Sequence, residues 1–186
     1  QLLVVYGNAP VAAIGIVFKV NMFITFLQMG LANGVQPLLG YNFGSGDRER
    51  FQKIAVYTRK CCVVIGVMAT LLFFMFRRQI IGLFIQDQVV IGYGVKMLLA
   101  YMVSGPVIGI LFMNMNCMQS VGKAFWATIL SILRQGLLLI PLLFLLNALG
   151  GLDGVIYGQS LADYISVILS IVLWRKCKTY NSARKS

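Results

Sequence analysis

The chain has 186 residues, of which 59% are hydrophobic and only 11% are charged. Soluble domains average about 25% charged residues, so this composition excludes a soluble globular protein and indicates one that is dissolved in lipid. The net charge of +11 comes from basic residues that flank apolar runs, which is typical of membrane topology and excludes a nucleic-acid-binding function.

The polar residues also exclude most kinds of catalysis. The chain has no histidine, and its four cysteines lack the C-x-x-C spacing of a zinc site. A histidine is the usual general base of an enzyme. We therefore expect no catalytic residue, no metal site, no cofactor and no enzymatic activity.

Five apolar segments are each long enough to cross a bilayer as a helix. Leu, Ile, Val, Met and Phe fill windows of roughly 20 residues, the length of a membrane helix, without the alternation of barrel strands. We predict an all-α polytopic membrane protein, a helical bundle with five complete spans. In chain order the predicted helices cover residues 11–40, 54–76, 89–118, 124–147 and 152–174.

The flanking segments complete the predicted domain organisation. Residues 1–9 resemble the end of a transmembrane helix that is truncated upstream, residues 10–175 hold the five helices, and residues 176–186 form a basic tail. If the helices alternate in direction, eleven of the sixteen basic residues fall on one side, the side of the carboxy terminus. Because basic residues concentrate on the cytoplasmic side, we predict a cytoplasmic carboxy terminus.

The first helix carries a polar seam. Residues spaced three or four apart share one helix face, and here the shared positions are Asn21, Thr25, Gln28, Ala32 and Gln36. The seam fits the wall of a substrate cavity. It also fits hydrogen bonds between neighbouring helices, which small and amide side chains provide in membranes. Both interpretations remain open.

Other amides lie near the predicted cytoplasmic ends of helices. Asn42 follows the first span, and the third span ends with Asn114, Asn116 and Gln119. Such amides either line a cavity or lie at the membrane interface. Together with the seam they give the candidate substrate-cavity residues, which are Asn21, Gln28, Gln36, Asn42, Asn114 and Asn116.

Arg134 and Asp163 are predicted at the same depth inside the bilayer. Arg134 lies 11 residues after Lys123, and Asp163 lies 12 residues before Arg175. At 1.5 Å per residue these separations correspond to roughly 16 and 18 Å from one edge. Since intramembrane charges usually pair or line a polar path, we hypothesise an ion pair facing the bundle interior. The pair either locks two helices together or lets Asp163 exchange a proton or a cation during transport.

Three prolines, Pro37, Pro106 and Pro141, fall inside or near the end of a predicted span. Proline removes a backbone donor and tends to kink a helix. Each is therefore a possible position for a bend.

One stretch resembles a known family. The segment 30–44, GLANGVQPLLGYNFG, is similar to the second helix of the second lobe of MATE (multidrug and toxic compound extrusion) transporters. Shorter segments match the same family in the expected order, and these are residues 119–124, 131–135 with 140–141, and 162–166. The resemblance covers nearly the whole chain.

The resemblance implies a transporter of two six-helix lobes, of which this chain is the second lobe with a stub of its first helix. The implied activity is export of amphipathic, cationic drugs in exchange for protons or sodium, with rocking between inward-open and outward-open states. The implied partners are the small-molecule substrate, the lipid bilayer and the missing amino-terminal lobe. The implied location is the plasma membrane.

Two alternatives remain from the sequence. A lipid-linked oligosaccharide flippase of the same wider superfamily would need a more basic cavity than Arg134 alone supplies. A non-transporting membrane scaffold would not need the polar seam. Apart from Asp153 at the start of the fifth predicted helix, Asp163 is the only carboxylate inside a predicted span, so coupling resides in the missing lobe or in that lobe together with Asp163.

Overall fold

The computed structural model describes the backbone of residues 7–183 and the side chains of residues 7–177, and this part of the chain is helical with no strand. Residues 1–6 of the predicted stub and the end of the predicted tail lie outside the described residues. The elements are α1 (Asn8–Gly44), α2 (Arg48–Gly82), α3 (Gln88–Met102), α4 (Gly105–Ser120), α5 (Ala124–Ile132), a π-helical turn (Leu133–Leu137) and α6 (Leu139–Ala183).

Helices α1 and α2 contain the first two predicted spans and extend beyond them. The carboxylate of Asp47 caps α2 by accepting a hydrogen bond from the backbone N–H of Arg50 at 2.9 Å, and Asp87 caps α3 in the same way. Within the described residues, three helical segments are long and apolar enough to cross a membrane, or four if α3 and α4 form one bent span. The number of crossings stays a prediction.

The third predicted helix is broken, not continuous. The prediction of one helix over 89–118 is corrected by a bend of 48° between α3 and α4. Pro106 stands in the first turn of α4. It has no N–H to donate, and its ring would clash with the carbonyl of Met102 four residues earlier. The chain therefore starts a new helix at Gly105.

Helix α6 doubles back on itself at Gly151, where φ is 55° and ψ is −133°. Glycine adopts positive φ without the steric cost of a side chain. The two arms of α6, 139–150 and 152–183, pack closely against each other, and a methyl group on Gly154 would clash with the carbonyl oxygen of Leu146. The fourth and fifth predicted helices are therefore antiparallel neighbours.

Contacts at the two ends of the bundle agree with this arrangement. Lys96 in α3 forms an ion pair with Asp153, just after the reversal at Gly151. At the opposite end, Phe51 near the start of α2 stacks on Trp174, with ring centroids 6.1 Å apart. The turn at Gly151 and the end of α6 thus lie at opposite ends of the molecule.

Two apolar clusters fill the interior, one above the other. The first includes Val17 of α1, Leu98 of α3 and Ile156 of α6. The second includes Leu39 of α1, Leu111 of α4 and Val167 of α6. Between the two clusters, buried polar residues come from α1 (Gln28), from the break between α3 and α4 (Ser104) and from α6 (Asp163), and they form a polar layer near the middle of the bundle.

Candidate functional site

Asp163 lies at the centre of this polar layer. Its carboxylate is buried, and both of its oxygens accept hydrogen bonds. Its Oδ1 accepts hydrogen bonds from Arg134 Nε at 2.9 Å and from Gln159 Nε2 at 3.3 Å. Its Oδ2 accepts one from Ser104 Oγ at 3.0 Å. The Asp163 side chain is 3% exposed and the Arg134 side chain 13%. The structure thus brings the two charged side chains into contact, and the sequence analysis predicts them at the same depth in the bilayer.

The contact itself proves that the chain reverses. In a straight helix, 29 residues would separate the two side chains by roughly 44 Å. The reversal at Gly151 brings them together across the two helical segments. The guanidinium carbon of Arg134 also lies 5.5 Å from the centre of the Phe112 ring, within the range of a cation–π interaction.

Arg134 is carried by an irregular turn. The backbone N–H of Leu138 bonds to the carbonyl of Leu133 at 2.8 Å, which is the spacing of a π-helix. Pro141 follows, and its ring would clash with the carbonyl of Leu137 in a regular helix. A widened turn relieves this clash, and such π-bulges occur frequently at functional sites.

The break between α3 and α4 lies against Asp163, and side chains from other helices satisfy its backbone carbonyls. Ser160 donates to the carbonyl of Ala100, and Tyr164 donates to that of Val103 at 2.8 Å. The carbonyl of Met102, which Pro106 leaves without its helical donor, accepts a bond from Thr70 Oγ1 at 3.4 Å. Irregular backbone survives at membrane depth only when such partners replace the lost bonds.

Gln28 of the predicted seam reaches the same break from α1. It is fully buried, and its Nε2 donates to the carbonyl of Gly105 at 2.9 Å. Glycines make room for it, since a methyl group on Gly66 would lie 2.5 Å from Gln28 Nε2 and one on Gly109 would lie 3.0 Å from Oε1. Among the described residues, Oε1 has no hydrogen-bond partner. Gln28 thus fills a socket between α2 and α4.

A second buried polar centre lies two turns further along α4. Asn114 is 1% exposed and joins three helices. Its Oδ1 accepts from Arg59 Nε of α2 at 3.0 Å, and its Nδ2 donates to Ser170 Oγ of α6 at 2.9 Å. Arg59 is not among the site residues that the sequence predicts.

Amide pairs join α1 to the last turns of α4. Asn116 Nδ2 donates to Asn33 Oδ1 at 3.0 Å, and Gln36 Nε2 donates to Gln119 Oε1 at 2.9 Å. Ser120 Oγ donates to the carbonyl of Gln36 at 3.2 Å. Asn33 was not predicted, although it lies within the segment that carries the family resemblance. These bonds provide the interhelical contacts that one interpretation of the seam requires.

Within the described residues, no hydrogen bond joins the other predicted side chains to the polar layer. Asn21 and Thr25 are half-buried on α1. Asn42 is buried, and its Nδ2 donates within its own helix to the carbonyl of Leu38 at 2.7 Å. Within the described residues, no group of three His, Cys, Asp or Glu side chains is placed to hold a metal ion. Contact of any of the six cavity candidates with a substrate stays a prediction.

The family model for MatE matches residues 2–145, which is most of the chain. The chain belongs to the MATE family. Members of this family are transporters and not enzymes.

Similar proteins support the same assignment. The multidrug export protein MepA of Staphylococcus saprophyticus is 35% identical over 168 residues, and MepA of Staphylococcus aureus is 34% identical over the same length. Both alignments cover 90% of this chain and 37% of the relative. The chain therefore spans a little over a third of the length of these curated relatives.

The MATE fold is also found in solved structures. The outward-facing conformation of a multidrug resistance MATE family transporter superposes with a TM-score of 0.89 at 18% identity. The superposition covers 100% of this chain and 42% of that one. The helical architecture of this chain is thus that of part of a MATE transporter.

Proposed function

We propose that this chain is part of a secondary antiporter that exports amphipathic, cationic compounds in exchange for protons or sodium. The observation that carries the proposal is the similarity to proteins named multidrug export protein MepA over 90% of the chain. The polar layer supports it, because polar groups at membrane depth are costly and usually functional. The remaining lobe of the transporter is supplied by the part of the protein outside this chain.

Asp163 is the coupling residue of this lobe in the proposed mechanism. As a carboxylate it is held by Arg134 and Ser104 at 2.9 and 3.0 Å. Protonation, or a bound sodium ion, would weaken its attraction for Arg134 and release the guanidinium toward the ring of Phe112. Because Ser104 stands at the break between α3 and α4, the same event changes a contact that positions the bend.

The substrate is proposed to meet this lobe at the amides between α1 and α4. Gln36 is half-buried, and its partner Gln119 is exposed. Gln28 and Asn114 are buried with bonds to other helices, so they act by holding those helices in place. Aromatic and apolar side chains beside the amides suit an amphipathic molecule.

The protein is proposed to lie in the plasma membrane with its carboxy terminus in the cytoplasm. The charge count supports this orientation, since eleven of sixteen basic residues fall on that side of the predicted topology. Export from the cytoplasm then proceeds away from the end that carries Phe51 and Trp174.

The test measures uptake of ethidium into everted membrane vesicles that contain the full-length protein. A proton gradient and a sodium gradient are imposed in separate experiments. We expect ethidium transport to follow one of the two gradients. Asp163→Asn, which cannot change its charge, is expected to lower the transport rate at least tenfold. Asp153→Asn is the control, because its carboxylate is exposed and pairs with Lys96 at the end of the bundle.

Two results would contradict the proposal. Absence of ethidium transport by the wild-type protein under either gradient, with the protein folded in the vesicles, rules out the drug-antiport activity. Transport that is equally fast with Asp163→Asn removes that residue from the coupling step and leaves it a structural role.

A further inference from the structure

A long groove runs between α1 and α2 on the outer face of the bundle. Its first part has a volume of about 1080 Å³ and includes Leu31 and Val35 of α1 with Tyr57 and Cys61 of α2. A second part of about 540 Å³ continues along the same two helices, with Leu27 of α1 among its lining residues. On α2 the lining residues run from Glu49 to Phe76. The apolar part beyond Lys60, from Cys61 to Phe76, corresponds to roughly 22 Å, which exceeds half of the hydrocarbon core of about 30 Å.

The side chains of α2 that line the groove differ from those in its contact with α4. Toward α4, helix α2 presents small residues such as Ala55, Cys62 and Gly66, which let the helices approach closely. Toward the groove it presents large ones such as Met68 and Leu72. Small residues mark helix–helix contacts in membranes. The larger side chains on the groove side leave an apolar channel between α1 and α2 with room for a flexible lipid chain.

Charge appears at one end of the groove only. Lys53 and Lys60 line that end, together with Glu49 and Gln52. Glu49 forms an ion pair with Lys53 in which both side chains are more than 70% exposed, and exposed pairs are weak. In the described residues, Lys60 forms no ion pair. The charge count predicts this end to be cytoplasmic, where bilayers carry their anionic lipids.

We propose that the groove binds an anionic phospholipid of the cytoplasmic leaflet. The acyl chain lies along the apolar walls between α1 and α2, and the phosphate meets the ammonium groups of Lys60 and Lys53. This site is independent of the antiport activity. It requires only the fold and the predicted orientation.

The experiment measures lipid binding to the full-length protein by native mass spectrometry after titration with phosphatidylglycerol or with phosphatidylcholine. We expect the wild type to bind phosphatidylglycerol more tightly. The double variant Lys53→Gln/Lys60→Gln is expected to lose about tenfold in affinity for phosphatidylglycerol, because each basic residue near a membrane surface contributes measurably to binding of anionic lipid. Its affinity for phosphatidylcholine should not change.

The matched control is Arg77→Gln/Arg78→Gln, which removes the same charge from the opposite end of α2. It should leave the affinity for phosphatidylglycerol within about twofold of the wild type. A third variant, Cys61→Trp, fills the apolar part of the groove and should weaken binding of both lipids.

Three outcomes would overturn the proposal. Equal binding of the two lipids by the wild type shows that no anionic site exists. Equal losses in the two charge variants show a general effect of net charge. Unchanged binding by Cys61→Trp shows that the lipid does not occupy the groove, as expected if a segment of the amino-terminal lobe covers it.

Discussion

The two arginines that reach into the bundle, Arg134 and Arg59, have different partners. Arg134 meets the carboxylate of Asp163 and forms a closed ion pair. Arg59 meets the neutral amide of Asn114, and its buried Nη2 has no partner among the described residues. The remaining four carboxylates of the chain lie at helix starts or in exposed ion pairs, at Asp47, Glu49, Asp87 and Asp153.

This difference predicts different responses of the two centres to loss of one partner. Removing one partner of a buried ion pair leaves an uncompensated charge, whereas removing a guanidinium from a neutral amide leaves only an unsatisfied acceptor. In the mechanism proposed above, a proton or cation therefore acts at the Asp163 centre. The Arg59 centre joins α2, α4 and α6.

The largest expected effect is that of Asp163→Asn on stability. The substitution leaves Arg134 buried without a counter-charge, which typically costs about 3–5 kcal/mol. Thermal unfolding of the full-length protein in detergent should show a clear fall in Tm. The control Asp153→Asn should leave Tm unchanged because that carboxylate is exposed. A Tm for Asp163→Asn that matches the wild type would show that the charge is not buried.

The second effect tests the packing beside the ion pair. Gly66→Ala would place a methyl group 2.5 Å from Gln28 Nε2 and 2.6 Å from the carbonyl oxygen of Gly105. Overpacking of this kind typically costs about 1–3 kcal/mol, so Tm should fall. Gly34→Ala is the matched control, since its methyl group would meet nothing within 4 Å in the described structure. Equal Tm values for the two variants would mean that α2 and α4 are further apart than described.

The smallest effect is expected at the other arginine. Arg59→Gln keeps a donor for Asn114 and removes the charge, so the loss should be about 1 kcal/mol, the scale of one hydrogen bond. The same unfolding measurement compares it with Arg134→Gln, which strands a carboxylate. If Arg59→Gln is as destabilising as Arg134→Gln, the proposed distinction between the two centres is wrong.

The contact of Arg134 with Asp163 could be predicted from the sequence and that of Arg59 with Asn114 could not, for a physical reason. Arg134 and Asp163 stand inside apolar runs, so their depth follows from counting residues to the basic flanks. Arg59 is adjacent to Lys60 at the edge of an apolar run and looks like any other flanking residue. Its partner Asn114 lies 55 residues away, and only the packing of α2 against α4 brings them together.

The break in the third helix was only partly predictable. Pro106 marked a possible bend, but the partners that stabilise it come from three other helices. Thr70, Tyr164 and Gln28 each lie far from the break in the sequence. The glycine socket around Gln28 is equally non-local. Periodicity reveals which residues share a face of one helix, but not which residues of another helix meet that face.

A double-mutant cycle on Arg134 and Asp163 tests the central claim most directly. Unfolding free energies of the full-length protein are measured for Arg134→Gln, Asp163→Asn and the double variant. We predict that the double variant is less destabilised than the sum of the single variants, with a coupling energy of about 1.5–3 kcal/mol. Additivity within about 0.5 kcal/mol would contradict a direct ion pair at the centre of the polar layer.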